Sequence, residues 1–245
     1  MIIRLFISYM QIMILFSIPY AGGSATIYYK WKQYLHSSIE LKPVELKGRG
    51  KRFDEELYYT FDEAVNDILF NIKDMISDSS CDYAIYGHSM GSILAYELYY
   101  RICEMEIKKP RHLFFSGYQA PDIVEKKEDI HGLADDEFIE KLIEMGGMEE
   151  EVISNKELIS TYLPIIRNDF KIIEAYKYKE KKEKIGCDIS ILYGKEDDIT
   201  LEELLQWKNH STGKFRMYDF DGDHFFINNH IEDITTIINK ELVYR

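Results

Sequence analysis

Five consecutive residues, Gly87-His88-Ser89-Met90-Gly91, carry the sharpest chemical signal in this sequence. A serine hydroxyl is a weak nucleophile at neutral pH, so it needs a base to take its proton. The base in turn needs an acid to fix its tautomer. G-x-S-x-G recurs by chance, and its context decides what it means. The apolar run Tyr83–Tyr86 before it reads as a strand, and the run from Ile93 to Tyr100 after it reads as a helix. Between strand and helix the turn strains the serine backbone and exposes its oxygen, while the flanking glycines let the two elements approach. The chemistry expected of Ser89 is acyl transfer.

Its partners should follow along the chain in the order serine, acid, base. Ile189–Tyr193 reads as a strand, and the loop after it, Gly194-Lys195-Glu196-Asp197-Asp198, offers three acids. Phe215–Phe220 reads as the last strand, and Asp221-Gly222-Asp223-His224 follows directly, which selects His224 as the base. His210 precedes that strand and His230 opens the closing helix, so both read as surface residues. His36, His88, His112 and His131 come too early in the chain and read as structural or exposed. An oxyanion needs backbone donors: the N–H of Met90, and one from the loop Pro19-Tyr20-Ala21-Gly22-Gly23-Ser24, where Ala21 is the candidate. No Lys-Ser/Thr pair follows these glycines, which excludes a P-loop. The three cysteines, Cys81, Cys103 and Cys187, lie in no metal-binding spacing. Neither a cofactor nor a metal is expected.

Positioning these residues takes a sheet. Strand-like runs at Ile12–Ile18, Ile39–Leu46, Tyr83–Tyr86, His112–Ser116, Ile189–Tyr193 and Phe215–Phe220 alternate with amphipathic helical patterns, as in a mostly parallel α/β sheet. Thr60 with Glu63, and Thr200 with Glu203, predict capping boxes, and a last helix is predicted from Ile231 to Leu242. Between Ser116 and Cys187 lie about seventy residues with no strand pattern, more than a crossover needs. A helix is predicted there from Asp135 to Met145, stopped by Gly146 and Gly147. A second, capped by Ser154 with Glu157, should kink at Pro164. This block, about 122–184, reads as a helical lid held by few contacts, with Phe138, Leu142, Leu158, Tyr162, Ile166 and Phe170 on its apolar faces.

The 245 residues are 46% hydrophobic, enough for one domain, and the formal net charge of −13 argues against nucleic-acid binding. The lysines at 177, 179, 181, 182 and 184 read as a solvated segment. Arg4 ahead of an apolar run resembles an export signal, but Ser8, Gln11 and Ser17 break the run, which reads as strand. Nothing else is apolar for long enough to span a membrane. Reduced core cysteines fit a cytoplasmic protein, and a monomer is expected.

The chain resembles, nearly end to end from Leu15, the stand-alone type II thioesterases of nonribosomal peptide and polyketide synthases. The resemblance rests on Ile18-Pro19-Tyr20-Ala21-Gly22-Gly23-Ser24, on Pro43-Val44-Glu45-Leu46 leading to Gly48-Arg49-Gly50, on the Ser89 pentapeptide, and on Ala95-Tyr96-Glu97-Leu98. It continues in Ser116-Gly117, Ala120-Pro121, Gly146-Gly147, Leu163-Pro164 with Arg167 and Asp169, and Asp221-Gly222 with His224-Phe225. It implies an α/β-hydrolase fold with a helical lid. It also implies Asp197 as the acid, and acyl groups on the phosphopantetheine arm of carrier domains as substrate. Lys47 and Asp223 depart from the usual proline and glycine. A fatty-acyl-carrier thioesterase, a carboxylesterase and an inactive hydrolase-fold binding protein are the rival readings. The basic loop Lys47, Arg49, Lys51, Arg52 either meets the carrier or, the preferred reading, is braced by its arginines through local hydrogen bonds.

Overall fold

The computed structural model describes residues 12–78, 81–123, 129–147 and 155–244. Its centre is a six-stranded sheet formed by β1 (Met13–Ile18), β2 (Ile39–Pro43), β3 (Asp82–His88), β4 (His112–Ser116), β5 (Asp188–Gly194) and β6 (Phe215–Phe220), in the order β2-β1-β3-β4-β5-β6. Every neighbouring pair is parallel. The chain leaves β1 toward one edge, returns past it to β3, and then proceeds steadily to β6. The reversal between β1 and β3 opens the crevice at the carboxyl ends of the strands where sheets of this kind bind ligands. Ala21 follows β1 and Ser89 follows β3, so both candidates flank that point.

A parallel sheet is covered on both faces, which is why β1 and β4 are buried at every residue. Alternation along β1 sorts its side chains. Ile14, Phe16 and Ile18 join the core under helices α1 (Phe61–Ser77) and α2 (Met90–Glu104), with Val65, Ile68 and Leu94. Met13 and Leu15 join the opposite core, built from the closing helix Ile231–Leu242 and the 3₁₀ segment Ala25–Gln33, with Trp31, Tyr28 and Ile238. The amphipathic face of α1 falls where its periodicity predicts.

Several boundaries differ from the sequence expectation. β1 begins at Met13, and β2 ends at Pro43 instead of Leu46: after Val44 N–H bonds to the Ser17 carbonyl, the chain leaves the ladder. β3 runs on through Gly87 and His88, carrying the turn up to the serine. The 3₁₀ segment, capped by Ser24, shows no 3.6-residue pattern to announce it. The Thr200–Glu203 box is complete on the short helix Leu201–Leu205, numbered α5 here. The Thr60 box is half made, because Glu63 accepts the N–H of Tyr59 and not that of Thr60.

The inserted block contains α3 (Asp135–Glu144) and α4 (Lys156–Glu174), and the closing helix is α6. Gly146, at φ +72°, stops α3 as expected. Ser154 lies outside the described residues, and the cap of α4 is Asn155, whose side chain accepts from Glu157 and Leu158 N–H. The helix continues through Pro164 as one nineteen-residue element. Phe138, Leu142 and Leu163 form a small core of their own, with Ile166 and Phe170 against it, while Tyr162 is exposed. As expected, α3 and α4 share few contacts with the strands and helices of the body, but α4 is anchored by its side chains. Leu163, Ile165, Asp169 and Ile172 are all buried, and Asp169 is tied to the body of the protein.

Candidate active site

Ser89 takes φ 53° and ψ −121°, a left-handed strained conformation for a residue with a Cβ, at the N-cap of α2. Its N–H is held by the Ser116 carbonyl at 2.7 Å. The two glycines of the motif are required by proximity. A Cβ on Gly87 would lie 2.1 Å from the Gly91 carbonyl oxygen, and one on Gly91 would lie 2.3 Å from that of Ile18. The turn is therefore clamped between α2 and the end of β1. Ser92 pins it from below, accepting the Ser116 N–H and donating to the Gly87 carbonyl, each at 2.9 Å.

Two further loops bring acid and base together. Gly194 closes β5 where the Asp223 and Gly222 carbonyls would lie 2.3 and 2.5 Å from an added Cβ. The Glu196 N–H bonds to the Gly222 carbonyl, and Lys195 N–H to that of Phe220. With the loops after β5 and β6 joined this way, Asp197 Oδ2 sits 2.9 Å from His224 Nδ1. The Asp197 side chain is 6% exposed and that of His224 is 21%, whereas Glu196 and Asp198 both face solvent. Burial thus separates the three acids that the loop offers. A carboxylate can only accept, so it fixes the proton on Nδ1 and leaves Nε2 as the base. Among the described residues no hydrogen bond joins Ser89 Oγ to His224, a contact that commonly tightens only when substrate binds.

His88 proves to be a buried brace. Its Nε2–H donates to the His224 carbonyl at 3.0 Å, which obliges Nδ1 to accept from Ser116 Oγ at 2.8 Å. Burial, then the neighbouring His224, hold its pKa well below the ordinary histidine value, so it stays neutral. Both imidazoles lie over Gly117, where a Cβ would come within 2.8 Å of His88 and 3.4 Å of His224. His88 therefore connects Ser116, which holds the serine backbone, to the base. Its position in the chain gave no sign of that role.

The loop after β1 distributes its donors unequally. Gly22 N–H goes to Asp169 Oδ2 at 2.8 Å and Gly23 N–H to the Tyr20 carbonyl at 2.9 Å. The Ala21 N–H has no partner among the described residues, nor has that of Met90 at the first position of α2, where helix geometry leaves it free. Both N–H groups are thus free to donate to a ligand.

The rival residues are occupied elsewhere. His210 bonds to Asp122 at 2.8 Å and lies among Trp207 and Tyr96; it is buried, not a surface residue as expected. His230 is held by Asp233 and the Asp221 carbonyl. Asp223 is exposed and accepts the Phe225 N–H, which fixes its own loop. In the basic loop, Arg52 is braced locally by Glu55 and Asp67. Arg49 is also structural, but its main partner is distant: Asp169 on α4, through bonds of 2.6 and 2.9 Å.

A thioesterase-domain family model matches residues 13–242. LgrE of Brevibacillus parabrevis, named a linear gramicidin dehydrogenase, is 35% identical over 233 residues, covering 94% of this chain and 87% of its own. Among solved structures, ClbQ from the colibactin nonribosomal peptide/polyketide pathway is similar with a TM-score of 0.90 and 36% identity, covering 95% of this chain and 97% of its own. BorB, a type II thioesterase from the borrelidin cluster, matches with a TM-score of 0.85 and 31% identity over 94% and 93% of the two chains. The chain belongs to the thioesterase family, on an α/β-hydrolase fold.

Proposed function

We propose that this protein is a stand-alone type II thioesterase that uses Ser89, His224 and Asp197 to release acyl groups from the phosphopantetheine arm of synthase carrier domains. The observation that carries the reading is the partly buried Asp197–His224 pair at the strand ends beside a strained serine. Similarity to a type II thioesterase and to a protein of a nonribosomal peptide/polyketide pathway supports the substrate class.

Ser89 Oγ attacks the thioester carbonyl carbon while its proton passes to His224 Nε2. The resulting oxyanion is held by the N–H groups of Ala21 and Met90. The C–S bond then breaks, and the departing thiol takes the proton from His224, leaving an acyl ester on Ser89. Water attacks that ester, His224 takes the water's proton and returns it to Ser89 Oγ, and the free acid leaves. Asp197 orients the ring and stabilises its charged form throughout. The chemistry calls for no cofactor or metal, since the pantetheine arm arrives with the substrate.

The test is turnover of an acyl-loaded carrier domain against a nitrophenyl ester of the same acyl group, with fluorophosphonate labelling of Ser89 alongside. Carrier substrate is expected to be preferred, and wild type but not Ser89→Ala to be labelled. A preference for the simple ester would favour a carboxylesterase, and a chain that stays unlabelled would indicate an inactive binding protein.

A further inference from the structure

Three charged side chains, Glu45 and Arg49 from the segment after β2 and Asp169 from α4, grip the loop that carries Ala21. Glu45, just beyond β2, accepts the Ala25 N–H at 3.0 Å and the Ser24 hydroxyl at 3.2 Å. Arg49 donates to the Gly23 carbonyl at 3.1 Å. Asp169, from α4, accepts the Gly22 N–H, the residue next to the expected donor. Arg49 and Asp169 are 2% and 0% exposed and form a bidentate pair. Burial works to lower the Arg49 pKa, but the Asp169 carboxylate outweighs it, so the guanidinium stays charged. Three residues before Asp169 on the same helix face, Ile166 presses on Gly22: a Cβ there would lie 2.7 Å from Ile166 Cγ1.

A buried ion pair is a poor way to gain stability, because desolvation offsets most of its attraction and apolar residues of like volume do as well. What this pair adds is direction: it fixes which way the Gly22 peptide faces, and so where the adjoining Ala21 N–H points. We propose that Asp169, held by Arg49, is a positioning residue for the oxyanion hole, so that seating of helix α4 and competence of the hole are one event. This rests on the serine-hydrolase reading above. It also gives α4 a part in the chemical step.

The test compares Asp169→Asn with the double variant Arg49→Met/Asp169→Leu, which replaces the pair with apolar groups and keeps the question open if the single variant does not fold. Near-UV circular dichroism checks the fold, and end-point fluorophosphonate titration counts reactive sites. We expect kcat per titrated site to fall about 10–100-fold in both, the scale of a donor displaced by about 1 Å. Affinity for an alkyl boronic acid, which forms a tetrahedral anion on serine, should fall in step, with KM changed by less than about threefold. A merely structural pair would lower the melting temperature and the titratable fraction, leaving the per-site rate and boronate affinity intact, and that result overturns the proposal. Activity retained in Ser89→Ala would instead remove the underlying reading.

Discussion

Replacing Asp197 by Asn tests the assignment of acid and base most directly. The substitution is nearly isosteric, so the packing around a side chain 6% exposed is retained. What changes is the bond to His224 Nδ1, 2.9 Å long. An amide can turn its NH2 toward the ring, which moves the imidazole proton to Nε2 and leaves no lone pair to take the serine proton. The carboxylate charge that stabilises imidazolium is lost as well. Two unit charges at about 4 Å in an effective dielectric of about 20 attract by about 4 kcal/mol, or roughly 10³-fold in rate. The tautomer penalty brings the expected loss in kcat to about 10⁴-fold, the size known for this change in other triads. The assay is thiol release from an acyl thioester, followed by single turnover to isolate acylation. Asp198→Asn and Glu196→Gln, whose side chains face solvent, should stay within about twofold of wild type. Comparable losses from Asp197→Asn and Asp198→Asn, or a loss below about tenfold for the former, would refute the assignment.

Three further outcomes are expected. Ser89→Ala should lose roughly 10⁴–10⁶-fold in kcat, while Ser89→Gly, equally inactive, should melt higher than Ser89→Ala because glycine relieves a φ of 53°, worth about 1 kcal/mol or more; equal melting temperatures would deny the strain. Gly91→Ala places a methyl 2.3 Å from the Ile18 carbonyl oxygen, so a loss of roughly 3 kcal/mol or more in urea unfolding is expected, and a shift under about 1 kcal/mol would contradict the clamp. Because the folded pKa of His88 is depressed, the unfolded chain binds the extra proton first. Stability from this group is therefore complete above its unfolded pKa near 6.5 and lost as pH falls below it, by up to about 1.4 kcal/mol per pH unit. Urea midpoints between pH 7.5 and 5.5 should fall more steeply for wild type than for His88→Gln, and parallel curves would place the proton uptake elsewhere.

The sequence by itself determined the strands and the serine turn, and set out the proposed order of serine, acid and histidine. Those signals are local: β-branched and aromatic runs of strand length, glycines at fixed offsets from a serine, and loops that follow strands. Choosing among Glu196, Asp197 and Asp198 by physical chemistry alone had to await the joining of the β5 and β6 loops, because burial, not residue type, distinguishes them. The brace by His88 and the Arg49–Asp169 pair were decided by tertiary structure alone. Arg49 and Asp169 stand 120 positions apart, and no periodicity or propensity connects them. The same holds for the lid. Its helices were legible from their apolar spacing, but the anchoring of α4 to the oxyanion loop depends on which buried charge meets which backbone donor, and only the closed fold brings those atoms within reach.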